Sequence, residues 1–131
     1  MEPLLLKHIL VIEDDNVLVG MLKQSLEIAG FKVSHASNGE EGKTMALEGV
    51  PPPDLLIVDI DMPKMDGVTM LKMLRAKGMN VPAFVLTNFN QTEHVADAAE
   101  AGILEYLVKA DWDLDQIVAK VKARIATTKT A

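Results

Sequence analysis

Short runs dominated by aliphatic residues recur along the chain: HILVI at 8–12, LLIV at 55–58 and AFVL at 83–86, with weaker ones at 32–36 (KVSHA) and 105–108 (EYLV). Runs of this length bounded by turn residues, and lacking polar alternation, read as strands covered on both faces. Between them, apolar residues recur at helical spacing. Leu18, Met21, Leu22, Ser25 and Leu26 mark the first such stretch, closed by Gly30 as a left-handed cap. Further helices are predicted over 40–48, 68–76 and 91–101. The last begins near Asp113, where Gln116 completes a capping box and Leu114, Ile117, Val118, Val121 and Ile125 share a face. Five strand–helix alternations predict one α/β domain with a parallel sheet between two helical layers. Val50-Pro51-Pro52-Pro53 predicts an extended loop, because proline lacks an amide donor and restrains its predecessor.

A chain of 131 residues without cysteine forms a core unaided by disulfides and has no thiolate metal site. The opening MEPLLLKHILVIEDD lacks a basic leader region, and no run approaches the ~18 apolar residues of a membrane span. A cytoplasmic protein with no membrane insertion is expected. The net charge of −6 speaks against direct contact with nucleic acid, which demands a basic face. His8, His35 and His94 lack zinc-ligand spacing. The eight methionines read as adaptable core filler, and Trp112 as a packing anchor.

The polar residues that follow the strands carry the chemistry. In a parallel sheet all strands end at one edge, where ligands bind. Glu13, Asp14 and Asp15 follow the first strand, Asp59 and Asp61 the third, Thr87 and Asn88 the fourth, and Lys109 the fifth. Two carboxylates ~4 Å apart repel by about 4 kcal/mol at an effective dielectric of 20. Such a cluster is tolerable around a hard divalent cation, and an all-oxygen ligand set selects Mg²⁺ or Mn²⁺. Lys109 and Thr87 would then face phosphoryl oxygens, and Asp59, alone at its strand end, would be the attacking carboxylate.

The elements ILVIEDD, VDIDMPKMDG, VLTN and EYLVK, in this order and spacing, resemble the receiver domains of two-component response regulators over nearly the whole chain. The resemblance implies a flavodoxin-like (βα)5 doubly wound sandwich with strand order 2-1-3-4-5, a receiver body over 7–126 and a tail over 127–131. It implies Asp59 as phosphoacceptor, Asp14 as a direct Mg²⁺ ligand, Glu13 acting through water, and the main-chain carbonyl of Asp61 as a further ligand. Thr87 and Lys109 would contact the phosphoryl group, and Tyr106 would change rotamer with Thr87. Met62-Pro63 and Asp66-Gly67 would shape the loop beyond the site. The implied partners are a sensor histidine kinase or histidine phosphotransfer protein, docked partly through the first turn of helix one around Val17–Val19. A downstream protein would meet the face formed by helix four, strand five and helix five. Such a domain is not an enzyme beyond self-catalysed phosphoryl transfer and slow autodephosphorylation.

Three departures stand out. Ala110 replaces the usual proline after the lysine, and a cis Lys109–Ala110 bond is expected by analogy with the family's turn. Asn88 is larger than the family's residue and narrows access to Asp59. Asp61 adds charge and, with Phe89, flanks the path of an attacking water, so slow phosphoryl loss is expected. Two rival readings are a haloacid-dehalogenase-type phosphatase, suggested by Asp59-Ile60-Asp61, and a degenerate receiver acting only as a binding module.

Overall fold

The computed structural model describes residues 6–62, 64–88 and 92–128. Five strands alternate with five helices: β1 (His8–Ile12), α1 (Asn16–Ile28), β2 (Lys32–Ala36), α2 (Gly39–Glu48), β3 (Leu55–Val58), α3 (Gly67–Ala76), β4 (Ala83–Thr87), α4 (Thr92–Glu100), β5 (Glu105–Val108) and α5 (Leu114–Thr128). A short 3-10 turn, Lys109–Asp111, links β5 to α5. All strands are parallel, in the order β2-β1-β3-β4-β5. This is the predicted doubly wound, flavodoxin-like topology.

Strand alternation divides the core between the two faces of the sheet. Ile9, Val11, Leu55, Ile57, Phe84, Leu86 and Leu107 pack with Leu22 and Leu26 of α1 and Ile117 and Val121 of α5. Leu10, Ile12, Leu56, Val58 and Val85 pack on the other face with Ala46, Leu71, Leu74 and Ala98 of α2, α3 and α4. Both faces of β1, β3 and β4 are thus apolar, which is why their sequences show no alternation. Met62 and Met70 are buried, and Met45, Met65 and Met79 pack against the core as filler. Trp112 packs against the α1–α5 side, with the Lys120 ammonium 4.8 Å from its ring centroid.

Helix ends follow the predicted chemistry. Asp15 caps α1, accepting from the amides of Val17 and Leu18 at 3.0 and 3.2 Å. At the other end Gly30 has φ +101°, so its amide reaches Glu27 O and that of Phe31 reaches Leu26 O, a Schellman closure. Asp113 and Gln116 form a reciprocal capping box at 2.9 and 2.8 Å. In α1 the inward residues are Val19, Leu22 and Leu26, whereas Met21, expected to face inward, is 44% exposed. The helix α5 runs through Thr128. One expectation is corrected. The cis peptide of the described residues is Val50–Pro51, so Lys109–Ala110 is trans. A non-proline cis bond costs roughly 2.5–4 kcal/mol, and the 3-10 turn delivers Lys109 to the site without it. Pro63, Phe89, Gln91 and the last three residues lie outside the described residues.

Candidate functional site

The carboxyl edge of the sheet is built by continuing the β ladder one residue past the strands. Ile12 pairs with Val58, and beyond them the Asp59 amide donates to Ile12 O at 2.9 Å while the Glu13 amide donates to Ala36 O at 3.0 Å. These bonds place Glu13 and Asp59 side by side at the rim. Carboxylate oxygens of Glu13, Asp14 and Asp59 all lie within 4.8 Å of one another, the one such acidic group among the described residues. Glu13 and Asp59 are only 3% and 6% exposed, while Asp14 is open to solvent.

One cation sits among the acids. Lys109, held by the turn after β5, places Nζ 2.8 Å from Glu13 Oε1 and 3.4 Å from Asp59 Oδ2. Burial pushes the Glu13 carboxyl upward; the Lys109 hydrogen bond opposes this and the Asp59 charge adds to it, leaving the group at about 7. Burial alone would lower Lys109, but the Glu13 hydrogen bond and the two acidic charges outweigh it and raise the ammonium above its ordinary range. The donor set is all oxygen, anionic and short of positive charge, with Glu13 and Asp59 buried and Asp14 open to water. Those properties fit a hard divalent cation with room for water.

Thr87 ends β4 fully buried, in register with Val108. Tyr106 packs against the α2–α4 side of the core, partly buried. Burial and then the Asp59 charge raise its hydroxyl above the ordinary range. The amide of Asp61 donates to Asp59 Oδ1 at 3.2 Å. Asp61 lines a cleft of about 420 Å³ with Asp66, Thr69, Lys72 and Asp97. Asn88 is exposed beside Thr87. The returning loop is held by the Gly67 amide donating to Ile60 O at 3.0 Å, and a Cβ on Gly67 would strike the Asp59 carbonyl oxygen. Of the Val17–Val19 turn, Val17 is 73% exposed and Val19 is buried.

Sequence reasoning missed two contacts. The stronger partner of Lys109 is Glu13, not Asp59. His35 of β2 donates from Nε2 to the main-chain oxygen of Glu13 at 2.8 Å, where a lone histidine in a weak strand gave no signal.

A doubly wound sheet with three acids and a lysine converging on its carboxyl edge defines an α/β domain with an acidic group able to hold a metal ion. The family model for the response regulator receiver domain matches residues 9–122, and the chain belongs to that family. That membership displaces the haloacid-dehalogenase reading. Among curated relatives, the "Transcriptional regulatory protein PrrA" of Mycobacterium tuberculosis is 37% identical over 88% of this chain and 48% of its own. The "DNA-binding dual master transcriptional regulator RpaA" of Synechocystis is 31% identical, over 92% of this chain and 50% of its own. The chain therefore spans about half the length of the curated relatives it matches. A Francisella response regulator receiver domain superposes with TM-score 0.85 at 27% identity, covering 94% of this chain and 99% of that one. A CheX–CheY–BeF3–Mg²⁺ complex from Borrelia burgdorferi gives 0.79 at 27% identity, over 95% and 90%. No helix among the described residues is long and apolar enough to cross a membrane.

Proposed function

We propose that this receiver domain accepts a phosphoryl group on Asp59 from a phosphohistidine of a sensor kinase or phosphotransfer protein, in a reaction that requires Mg²⁺. The observation that carries this reading is the buried Asp59 carboxylate, grouped within 4.8 Å with Glu13 and Asp14 and 3.4 Å from the Lys109 ammonium. A carboxylate oxygen of Asp59 attacks phosphorus as the bond to the donor's imidazole nitrogen breaks, the electron pair leaving with that nitrogen. Asp14 would hold the cation directly, Glu13 through water, and the Asp61 carbonyl would complete the protein's share. When bound, the cation neutralises the acids and the charge on the transferring oxygens. Lys109 and the Thr87 hydroxyl are assigned to the remaining phosphoryl oxygens. The Mg²⁺ named in the Borrelia complex supports a divalent cation at this site.

The receiver body is assigned to residues 7–126. Its output is a shift in population of the α4–β5–α5 face, with Thr87 and Tyr106 as the switch pair, read by a downstream protein in the cytoplasm or by another part of a longer chain. Incubation with a radiolabelled phosphohistidine donor tests the reading. Label is expected on the wild type with Mg²⁺, and none on Asp59→Asn or in EDTA. A wild type that never takes label would instead be a receiver acting as a binding module.

A further inference from the structure

His35 and the main chain of the acidic loop form a contact that the phosphoacceptor reading leaves unused. The imidazole Nε2 lies 2.8 Å from Glu13 O, and because a carbonyl only accepts, that nitrogen carries the hydrogen. The bond has a structural origin. Glu13 continues the β1–β2 ladder by donating to Ala36 O, but β2 ends at Ala36 and the chain turns at Asn38 into the cap of α2. The His35 side chain, in register opposite Val11, supplies a donor where the strand stops.

The oxygen it holds belongs to the peptide group joining Glu13 to Asp14. On one side of that peptide, Glu13 is fixed by its own amide bond and by Lys109. On the other, the Asp15 amide donates to Glu13 Oε2 at 3.1 Å and its side chain caps α1. Asp14 is solvent-exposed, so its direction depends on the main chain at either side rather than on packing. Fixing the plane of the Glu13–Asp14 peptide therefore narrows the range of directions open to the Asp14 carboxylate.

We infer that His35 is a positioning residue that pre-sets the Asp14 carboxylate for the cation by pinning the Glu13–Asp14 peptide. This rests on the reading of Asp14 as a cation ligand. Partners that orient metal ligands typically matter tenfold or more in affinity, and a pre-set carboxylate spares the cation the cost of ordering it.

The test compares His35→Gln, which keeps an N–H donor near the Nε2 position, with His35→Met, of similar length but without a donor. Mg²⁺ is titrated calorimetrically into both, into the wild type and into Asp14→Ala. In metal-free protein, thermal midpoints and hydrogen exchange of the Asp14 and Asp15 amides are measured in parallel. The expected result is roughly tenfold weaker Mg²⁺ binding and faster exchange in His35→Met, with most of both restored in His35→Gln and similar midpoints for the pair. Equal Mg²⁺ affinity in the Gln and Met variants, with wild-type binding intact, overturns the inference. Absence of Asp14-dependent binding in the wild type overturns the cation reading itself, and with it the role given to His35, whatever the exchange shows.

Discussion

Lys109→Met removes the ammonium that lies between two buried carboxylates. At an effective dielectric of 20, its attractions to Glu13 at 2.8 Å and Asp59 at 3.4 Å amount to about 6 and about 5 kcal/mol before desolvation is subtracted. Breaking a buried pair by deleting one partner costs about 3–5 kcal/mol in practice, because the surviving charge stays buried and unpaired. For a chain of 131 residues that corresponds to a fall in thermal midpoint of roughly 10–18 °C. The assay is thermal unfolding at pH 8, with EDTA and then with Mg²⁺; because Lys109 holds Glu13 down at about 7, its removal raises Glu13 further, and proton uptake there offsets part of the loss. Mg²⁺ should recover a larger share of stability in the variant than in the parent, since the cation substitutes for the missing charge. A loss below about 1 kcal/mol, together with no response to Mg²⁺, would refute the view that these acids require compensation.

Glu13 also gives the metal-free protein a pH dependence. Its folded value of about 7 lies above the ordinary 4.5, so its contribution is complete below 4.5 and is lost as pH rises through 7. Metal-free stability should therefore decline across that window by at most about 3 kcal/mol, and Glu13→Gln should flatten the decline in urea titrations run at each pH. Arg75 of α3 donates to the carbonyls of Ala101, Met79 and Gly102 at 3.0, 3.1 and 3.2 Å, fastening the end of α4. Arg75→Met should cost about 1.5–3 kcal/mol and speed hydrogen exchange in the last turn of α4. The family resemblance sets Asp61 beside the line of water attack, and on that placement Asp61→Asn should accelerate loss of phosphate from the labelled protein by removing a negative charge. An unchanged decay rate would mean that the lifetime is set elsewhere.

Much of this arrangement was legible because it rests on local rules. The buried strands announce themselves through unbroken aliphatic runs, and Asp15, Gly30 and the Asp113–Gln116 pair mark helix ends by their own chemistry. Convergence of the acids followed from topology alone, since parallel strands share one carboxyl edge. What stayed hidden depends on tertiary geometry. The trans peptide at Lys109 follows from alanine standing after the lysine, whereas the 3-10 turn that still brings Lys109 to the site has no signature in those residues. Likewise, the preference of Lys109 for Glu13 over Asp59 reflects a difference of 0.6 Å between 2.8 and 3.4 Å, below anything spacing can encode. The contact of His35 arises where a strand runs out, and two of the three carbonyls on Arg75, those of Ala101 and Gly102, lie far from it in sequence.

The central claim is that Asp59 is the phosphoacceptor and that the acids beside it bind the cation the transfer needs. Its most direct test is intact-mass spectrometry after incubation with a small-molecule phosphodonor, followed by chemical trapping of the acyl phosphate and peptide mapping. The expected result is one added phosphoryl group in Mg²⁺, mapped to Asp59, and none with EDTA, with Asp59→Asn or with Asp14→Ala. A phosphoryl group mapped to another residue, or equal labelling of Asp59→Asn, would contradict it.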